Sequence, residues 1–234
     1  MSGDRPRAPR HSRAAQGKIR RRPARSDVVD ATREDSRAAG LVESRPFGRL
    51  VSESPWRDRF RDLGAKRPEV AAHGVRVALL ASSMAFCFGL SREESAIVRS
   101  AALLHDLGKI ETPLTILEKP GPLQPAERVL MDRHAAAGER LLQDVPACER
   151  LALIVGQHHE RFDGSGYPRG LAGAAIDPAA RIVTVADAFV AMIEDRPYSQ
   201  RRSRVDALAE VRRCSGTQFD AAAVAALFAS EGYP

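Results

Sequence analysis

The chain has six histidines: His11, His73, His105, His134, His158 and His159. His11 lies in an arginine-rich stretch and reads as an ordinary surface residue. The other five fall on four segments of helical pattern, each near a segment end or beside an acidic residue. Glu69 precedes His73 by four residues, which places both on one face of a helix. His105 is followed directly by Asp106 at the end of the apolar run Ala101-Ala-Leu-Leu. His134 stands mid-helix in Met131-Asp-Arg-His, and His158 with His159 closes the apolar run that begins at Leu151. Asp187 interrupts another apolar stretch, Ile182-Val-Thr-Val-Ala-Asp-Ala-Phe.

An aspartate inside an apolar helix is costly unless it is paired or holds a cation. Asp106 and Asp187 both fit that description. Adjacent residues on a helix point ~100° apart, so a His-Asp or His-His pair does not easily grip one ion. Such a pair can serve two ions lying side by side. Mixed imidazole and carboxylate ligands favour Fe, Mn or Zn over Mg or Ca. Two such metals, bridged by a carboxylate and a hydroxide, form a phosphoryl-transfer centre. One histidine alone would carry little weight. Five on apolar helices, with two well-placed aspartates, argue for metal binding.

These side chains need a scaffold, and the chain reads as all-α. The 36 basic residues outweigh the 30 acidic ones by six, but residues 1–45 hold 12 basic and 6 acidic residues and so supply the whole excess. This tail is rich in Arg, Pro, Ser and Gly and is expected to be disordered. Residues 46–234 are charge-balanced, which weakens the nucleic-acid reading that a pI near 9.7 suggests. A bridging segment, 46–67, carries Phe47, Leu50, Val51, Trp56, Phe60 and Leu63, spaced for one or two short helices. The spacing then predicts helices over 68–88, 92–104, 125–142, 146–159, 178–195, 203–213 and 220–230. Pro68, Pro125, Pro146 and Pro178 mark first turns, and Ser91 with Glu94 marks a capping box. A Gly/Pro-rich loop covers 163–178. No stretch alternates like a strand.

The three cysteines form no CxxC pair, which argues against a thiolate zinc site and suits a reducing cytoplasm. No run approaches the ~18 apolar residues of a membrane span. The Arg20-Arg21-Arg22 cluster lacks the apolar stretch that an export signal requires.

Leu103-Leu-His-Asp-Leu-Gly-Lys-Ile110 resembles the signature of the HD superfamily of metal-dependent phosphohydrolases. His158-His-Glu-Arg-Phe-Asp-Gly-Ser-Gly-Tyr-Pro168 resembles the extended motif of its HD-GYP subfamily. Gly170-Leu-Ala-Gly, Ala180 to Phe189 and Asp195-Arg-Pro-Tyr198 continue the pattern in order. Glu127 to His134 with Gly138 resembles the intermediate histidine motif, and Lys119-Pro-Gly-Pro-Leu123 the connecting loop. The resemblance runs from about Glu69 to Phe228, two thirds of the chain.

The resemblance implies a compact helical HD-domain bundle over 68–234. It also implies a cytoplasmic phosphodiesterase that hydrolyses a cyclic dinucleotide, most often cyclic di-GMP. The implied metal ligands are Glu69, His73, His105, Asp106, His134, His158, His159 and Asp187, holding two or three divalent transition metals. Asp106 would bridge two of them, and Glu69 would suit a third. Iron or manganese is favoured, with zinc as the alternative, and a metal-bridging hydroxide would attack phosphorus. Lys109, one turn past the HD pair, could reach a non-bridging oxygen or assist the leaving group. Gly166, Tyr167 and Arg196 are expected at the substrate, with the loop's backbone N–H groups and the Tyr167 ring turned towards it.

The pattern also departs from the family. Phe189-Val-Ala-Met-Ile stands where many members have Phe-Asp-Ala-Met-Thr, and Ser199 where they have a basic residue. Arg201 or Arg202 could compensate. Two other readings remain open: a phosphohydrolase for another nucleotide, and a nucleotide-binding receptor or adaptor with little turnover. The tail would either be a solvated extension or tether the chain to an anionic partner.

Overall fold

The computed structural model describes residues 53–194 and 201–233. The expected tail, the start of the bridging segment, the Asp195-Arg-Pro-Tyr198 motif with Arg196, and Ser199 lie outside the described residues. Helix α1 (Arg57–Lys66) seats Phe60 and Leu63 in the core, and Trp56 meets Phe60 edge-on with ring centroids 6.5 Å apart. Helix α2 (Pro68–Phe88) starts on a proline and stops at Gly89, whose φ of 86° is left-handed. Helix α3 (Arg92–Leu104) begins where the Ser91 hydroxyl accepts the Glu94 N–H at 3.2 Å, as the sequence spacing predicts. A 3-10 turn over Leu107–Ile110 follows His105 and Asp106.

Beyond it lie the short α4 (Leu114–Leu117), α5 (Pro125–Asp132), α6 (His134–Gln143) and α7 (Glu149–Gln157). Helices α8 (Pro178–Ile193), α9 (Arg204–Arg213) and α10 (Ala221–Ser230) complete the order. No strand occurs among the described residues, only two isolated bridges. The fold is an all-α bundle.

Two expectations need correction. The single helix expected over 125–142 is broken at Arg133, so His134 opens α6 and does not stand mid-helix. The carbonyl of Met131 accepts from the His134 ring at 2.7 Å just before this break. Pro146 does not open a helix: Ala147 adopts a φ of 59°, and α7 starts only at Glu149. A residue with positive φ cannot continue a right-handed helix, so the turn delays the start.

Helix α2 is the central element and packs on α3, α8 and α10. It is the one described helix long and apolar enough to cross a membrane by length and composition. More than half of it is buried inside the bundle, as a core helix must be. Its side chains Val75, Val77 and Met84, with Leu103 and Leu104 of α3 and Ile182 and Phe189 of α8, are fully buried or nearly so. Each such side chain contributes ~1.5–3 kcal/mol relative to exposure. This core fixes α2, α3 and α8, and therefore the positions of His73, His105 and Asp187.

The second half of the scaffold is α6 packed on α7 and on the 3-10 turn. Gly108 makes that contact. A Cβ there would lie 2.0 Å from the His134 carbonyl oxygen and 2.6 Å from the Gly138 nitrogen. No side chain fits, so glycine lets the turn carrying Asp106 and Lys109 lie directly on the start of α6.

Candidate metal centre

Five histidines and two aspartates, carried on α2, α6 and α8 and just past the C-terminal ends of α3 and α7, meet at one place. His73, His105 and Asp187 form one group whose ligand-type atoms lie within 4.8 Å of one another; His134, His158 and His159 form a second. Both groups can hold a metal ion. Asp106 lies between them: one oxygen is 3.2 Å from His105 Nε2 and the other 3.3 Å from His134 Nε2.

Three of the rings have their tautomer fixed by backbone. His105 Nδ1 donates to the Ala102 carbonyl at 2.8 Å, His134 Nδ1 to Met131 at 2.7 Å, and His158 Nδ1 to Val155 at 2.6 Å. A carbonyl only accepts, so each Nδ1 carries a proton, and in the neutral rings of His134 and His158 the Nε2 lone pair points into the site. His134 Nε2 and His158 Nε2 then face each other at 3.2 Å, with His159 Nε2 3.0 Å from His134. His105 Nε2 is buried and makes no well-aligned hydrogen bond, its nearest acceptors being Asp106 at 3.2 Å and Asp187 at 3.7 Å. Converging lone pairs of this kind are unfavourable unless a cation lies among them, so the donor set fits divalent metals.

The electrostatics agree. Burial, reinforced by the neighbouring histidines, holds His158 well below the usual imidazole range. Burial also lowers His134 despite Asp106, and brings His159 down to about 3. These rings are neutral and available as ligands at pH 7. Burial would lower His105 too, but Asp106 and Asp187 override it and raise the ring to about 9, so here a proton competes with a cation. Burial would raise Asp106, yet Lys109, His105 and His134 hold it well below the usual carboxylate range. Asp187 is likewise held low against burial, chiefly by its hydrogen bond to His73.

The two groups differ in access. A cleft of about 770 Å³ opens beside His73, Asp106 and Lys109. Glu69 lies on its wall, exposed and outside both groups. Lys109 Nζ sits 2.7 Å from Asp106 Oδ2. Over the second group, the Tyr167 ring stacks on His159 at 4.8 Å. Burial first, and then the nearby Asp132 carboxylate, push the Tyr167 hydroxyl far above the ordinary phenol range.

The glycine-rich loop departs from expectation in one respect. Its amides turn inward: Gly164 N–H donates to Arg161 at 2.8 Å, Ser165 N–H to the Asp163 carboxylate at 3.0 Å and Tyr167 N–H to His159 at 3.2 Å. Those N–H groups are therefore used to fold the loop rather than being offered to a ligand. Gly166 allows this tight turn, since a Cβ would lie 2.3 Å from the Arg161 nitrogen. Two carboxylates that the sequence reading passed over tie the loop down. Buried Glu160 accepts the N–H groups of Arg169 at 2.7 Å and Leu171 at 3.0 Å. Arg169 in turn grips buried Glu139.

Sequence reasoning also missed Glu194. Its carboxylate lies 2.9 Å from His73 Nδ1 and pairs with Arg76. A signal existed: seven residues, two helical turns, separate it from Asp187, which puts both on one face.

A family model described as "HD domain" matches residues 59–223. A 3'3'-cGAMP-specific phosphodiesterase of Vibrio cholerae is 40% identical over 163 residues, covering 70% of this chain and 35% of that protein. The cyclic di-GMP phosphodiesterase response regulator RpfG of Xanthomonas campestris is 45% identical over 154 residues, 65% of this chain and 41% of that one. A cyclic di-GMP phosphodiesterase of Thermotoga maritima is 38% identical over 174 residues, 74% of this chain and 46% of that one. The chain thus spans less than half the length of each of these relatives.

Among solved structures, an HDG"Y"P protein from Bdellovibrio bacteriovorus aligns with a TM-score of 0.56 at 19% identity, covering 87% of this chain and 73% of that one. The HD domain of the phosphodiesterase PgpH of L. monocytogenes aligns at 0.55 and 16% identity, covering 74% and 94%. These two likenesses concern the fold. Taken with the family match and the residues at the centre, they place the chain in the HD-domain family, carrying the HD-GYP form of its motif.

Proposed function

We propose that the chain is a metal-dependent phosphodiesterase that hydrolyses a cyclic dinucleotide, with cyclic di-GMP its first candidate. The observation that carries this reading is the pair of converging donor groups spanned by the Asp106 carboxylate. The relatives named as cyclic di-GMP and 3'3'-cGAMP phosphodiesterases support the substrate class.

In this reading His73, His105 and Asp187 hold one metal and His134, His158 and His159 another, with Asp106 shared between them. Glu69, on the cleft wall, would serve a third. The set suits Fe or Mn, and Zn less so. Bound there, divalent metals supply charge neutralisation at phosphorus and a nucleophile of lowered pKa.

The chain's own residues do the rest. The cleft, within the ~300–1,000 Å³ usual for ligand sites, admits the substrate on the His73 side. Lys109 holds Asp106 ionised and puts a cation at the cleft floor, where it can meet a phosphoryl oxygen. Tyr167, packed on His159, closes the far side against water. Gly166 allows the turn that places Tyr167, and Arg196 is assigned to substrate phosphate or guanine. Residues 68–234 form the catalytic unit behind the bridging segment 46–67. Residues 1–45 form a basic tail, and the setting is cytoplasmic.

The test is turnover of cyclic di-GMP, 3'3'-cGAMP and cyclic di-AMP, with metal content measured on the same sample. Cleavage with Mn or Fe, abolished by His105→Ala or Asp106→Ala, is expected. Tight nucleotide binding without turnover across several metals would replace this reading with a receptor.

A further inference from the structure

His105, His134 and His158 each settle Nδ1 on a carbonyl three residues back in their own chain segment. His73 does not. Its Nδ1 lies 2.9 Å from Glu194 Oε2, and its Nε2 lies 2.9 Å from Asp187 Oδ1. The ring is almost wholly buried, and the Glu194 side chain is only 15% exposed, so water competes little for this contact. Both partners are carboxylates, so a neutral ring can donate to only one of them; with a cation between Nε2 and Asp187, the proton belongs on Nδ1 and Glu194 accepts it.

The other Glu194 oxygen is gripped by the Arg76 guanidinium, which extends from α2 one turn beyond His73. Arg76, Glu194 and His73 form an ordered chain of contacts across the end of α8. Glu194 is also carried on the same stretch as Asp187, so the partner of Nδ1 and the partner of Nε2 move together.

We propose that Glu194 is a positioning residue of the metal centre. It holds His73 in the one tautomer and ring orientation that presents Nε2 to an ion in the His73, His105 and Asp187 group. Arg76 holds Glu194 in turn. A carboxylate behind a ligating imidazole also makes that imidazole a stronger donor, and losing such a partner typically weakens metal affinity about 10–100-fold. The inference rests on the metal-centre reading above, and it concerns one of the two groups, not both.

The experiment is calorimetric titration of the metal-free full chain with Mn(II), and in parallel with Co(II), whose visible absorption reports its ligands. Wild type, Glu194→Ala, Glu194→Gln and Asp187→Asn are compared. Glu194→Ala should weaken one class of site about 10–100-fold, the class that Asp187→Asn also weakens, and leave the other class close to wild type. Glu194→Gln should fall between, because its amide oxygen still accepts from Nδ1–H while its tie to Arg76 is weakened. If Glu194→Ala does not fold, the near-isosteric Glu194→Gln carries the comparison alone.

Wild-type affinity in every site of the variants would overturn the proposal, as would equal weakening of both classes. A wild-type chain that binds neither Mn(II) nor Co(II) would overturn it together with the metal centre. Metal binding without turnover of any cyclic dinucleotide would sink the proposed activity and leave the role of Glu194 standing.

Discussion

Exchanging Glu160 for glutamine changes almost no volume but reverses one hydrogen-bonding function. Glu160 is 2% exposed, and each of its oxygens receives one backbone N–H of the glycine-rich loop, from Arg169 at 2.7 Å and Leu171 at 3.0 Å. In Glu160→Gln the side chain offers one oxygen and one NH2 group. Whichever way the amide turns, one N–H of the loop faces another donor. The charge that strengthened both bonds is gone as well. A hydrogen bond to a charged group is worth ~1.5–3 kcal/mol, and a buried unsatisfied donor costs ~1–3 kcal/mol. Since Arg169 is exposed and can recruit water, the lower part of the summed range applies, about 3 kcal/mol. For a chain of this size that corresponds to a Tm lower by roughly 6–12 °C. Thermal unfolding measures it, with hydrogen exchange at the Arg169 and Leu171 amides recorded alongside. Should the loop open without the core, the loss appears as faster exchange at those two amides. A variant with both Tm and exchange at wild-type values would refute the reasoning, because the two bonds would then contribute nothing.

Gly108→Ala should be worse than ordinary overpacking, which costs ~1–3 kcal/mol. Its Cβ meets backbone atoms at 2.0 and 2.6 Å, and a rotamer change cannot relieve a backbone clash; chemical denaturation would show it. In Lys109→Ala, turnover should fall steeply while metal content per chain stays the same. Retained turnover would reduce Lys109 to the ion pair it makes with Asp106. The Glu94 carboxylate takes a two-pronged hydrogen bond from Arg150 at 2.6 and 2.7 Å, which ties α3 to α7 and holds the acid below the ordinary glutamate value of 4.5. A depressed folded pKa gives stability above the unfolded pKa that is lost as pH falls through the folded one. The small Tm advantage of wild type over Glu94→Gln should therefore be present at pH 7 and shrink once pH drops below 4.5.

The sequence showed most of the scaffold because its helix boundaries are local events. Pro68, Ser91 and Pro178 act within one turn, and α2, α3 and α8 start where they predict. The misplaced boundaries, at Arg133 and Ala147, are set by backbone turns that carry no Pro or Gly at the decisive position. The centre was legible as a list because histidine and buried aspartate are unusual in apolar helices. Its division into two groups was not, since that depends on how α6 and α7 meet α2 and α8. Glu160, Glu139 and Glu194 were missed for a related reason. Glu160 and Glu194 lie just past helix ends and Glu139 lies within α6, positions where a glutamate usually reads as a solvated charge, and only tertiary closure shows what each one faces.

The carbonyls behind three of the rings have a consequence for assembly. Where a ring is aimed by a carbonyl three positions earlier, the instruction is written into four consecutive residues and needs no other part of the molecule. His105, His134 and His158 can be pointed correctly as soon as their own turns form. His73 takes its instruction from Glu194, 121 residues further along the chain. Three of the five rings of the centre are thus locally coded, whereas His73 is aimed only once α2 and the end of α8 have met.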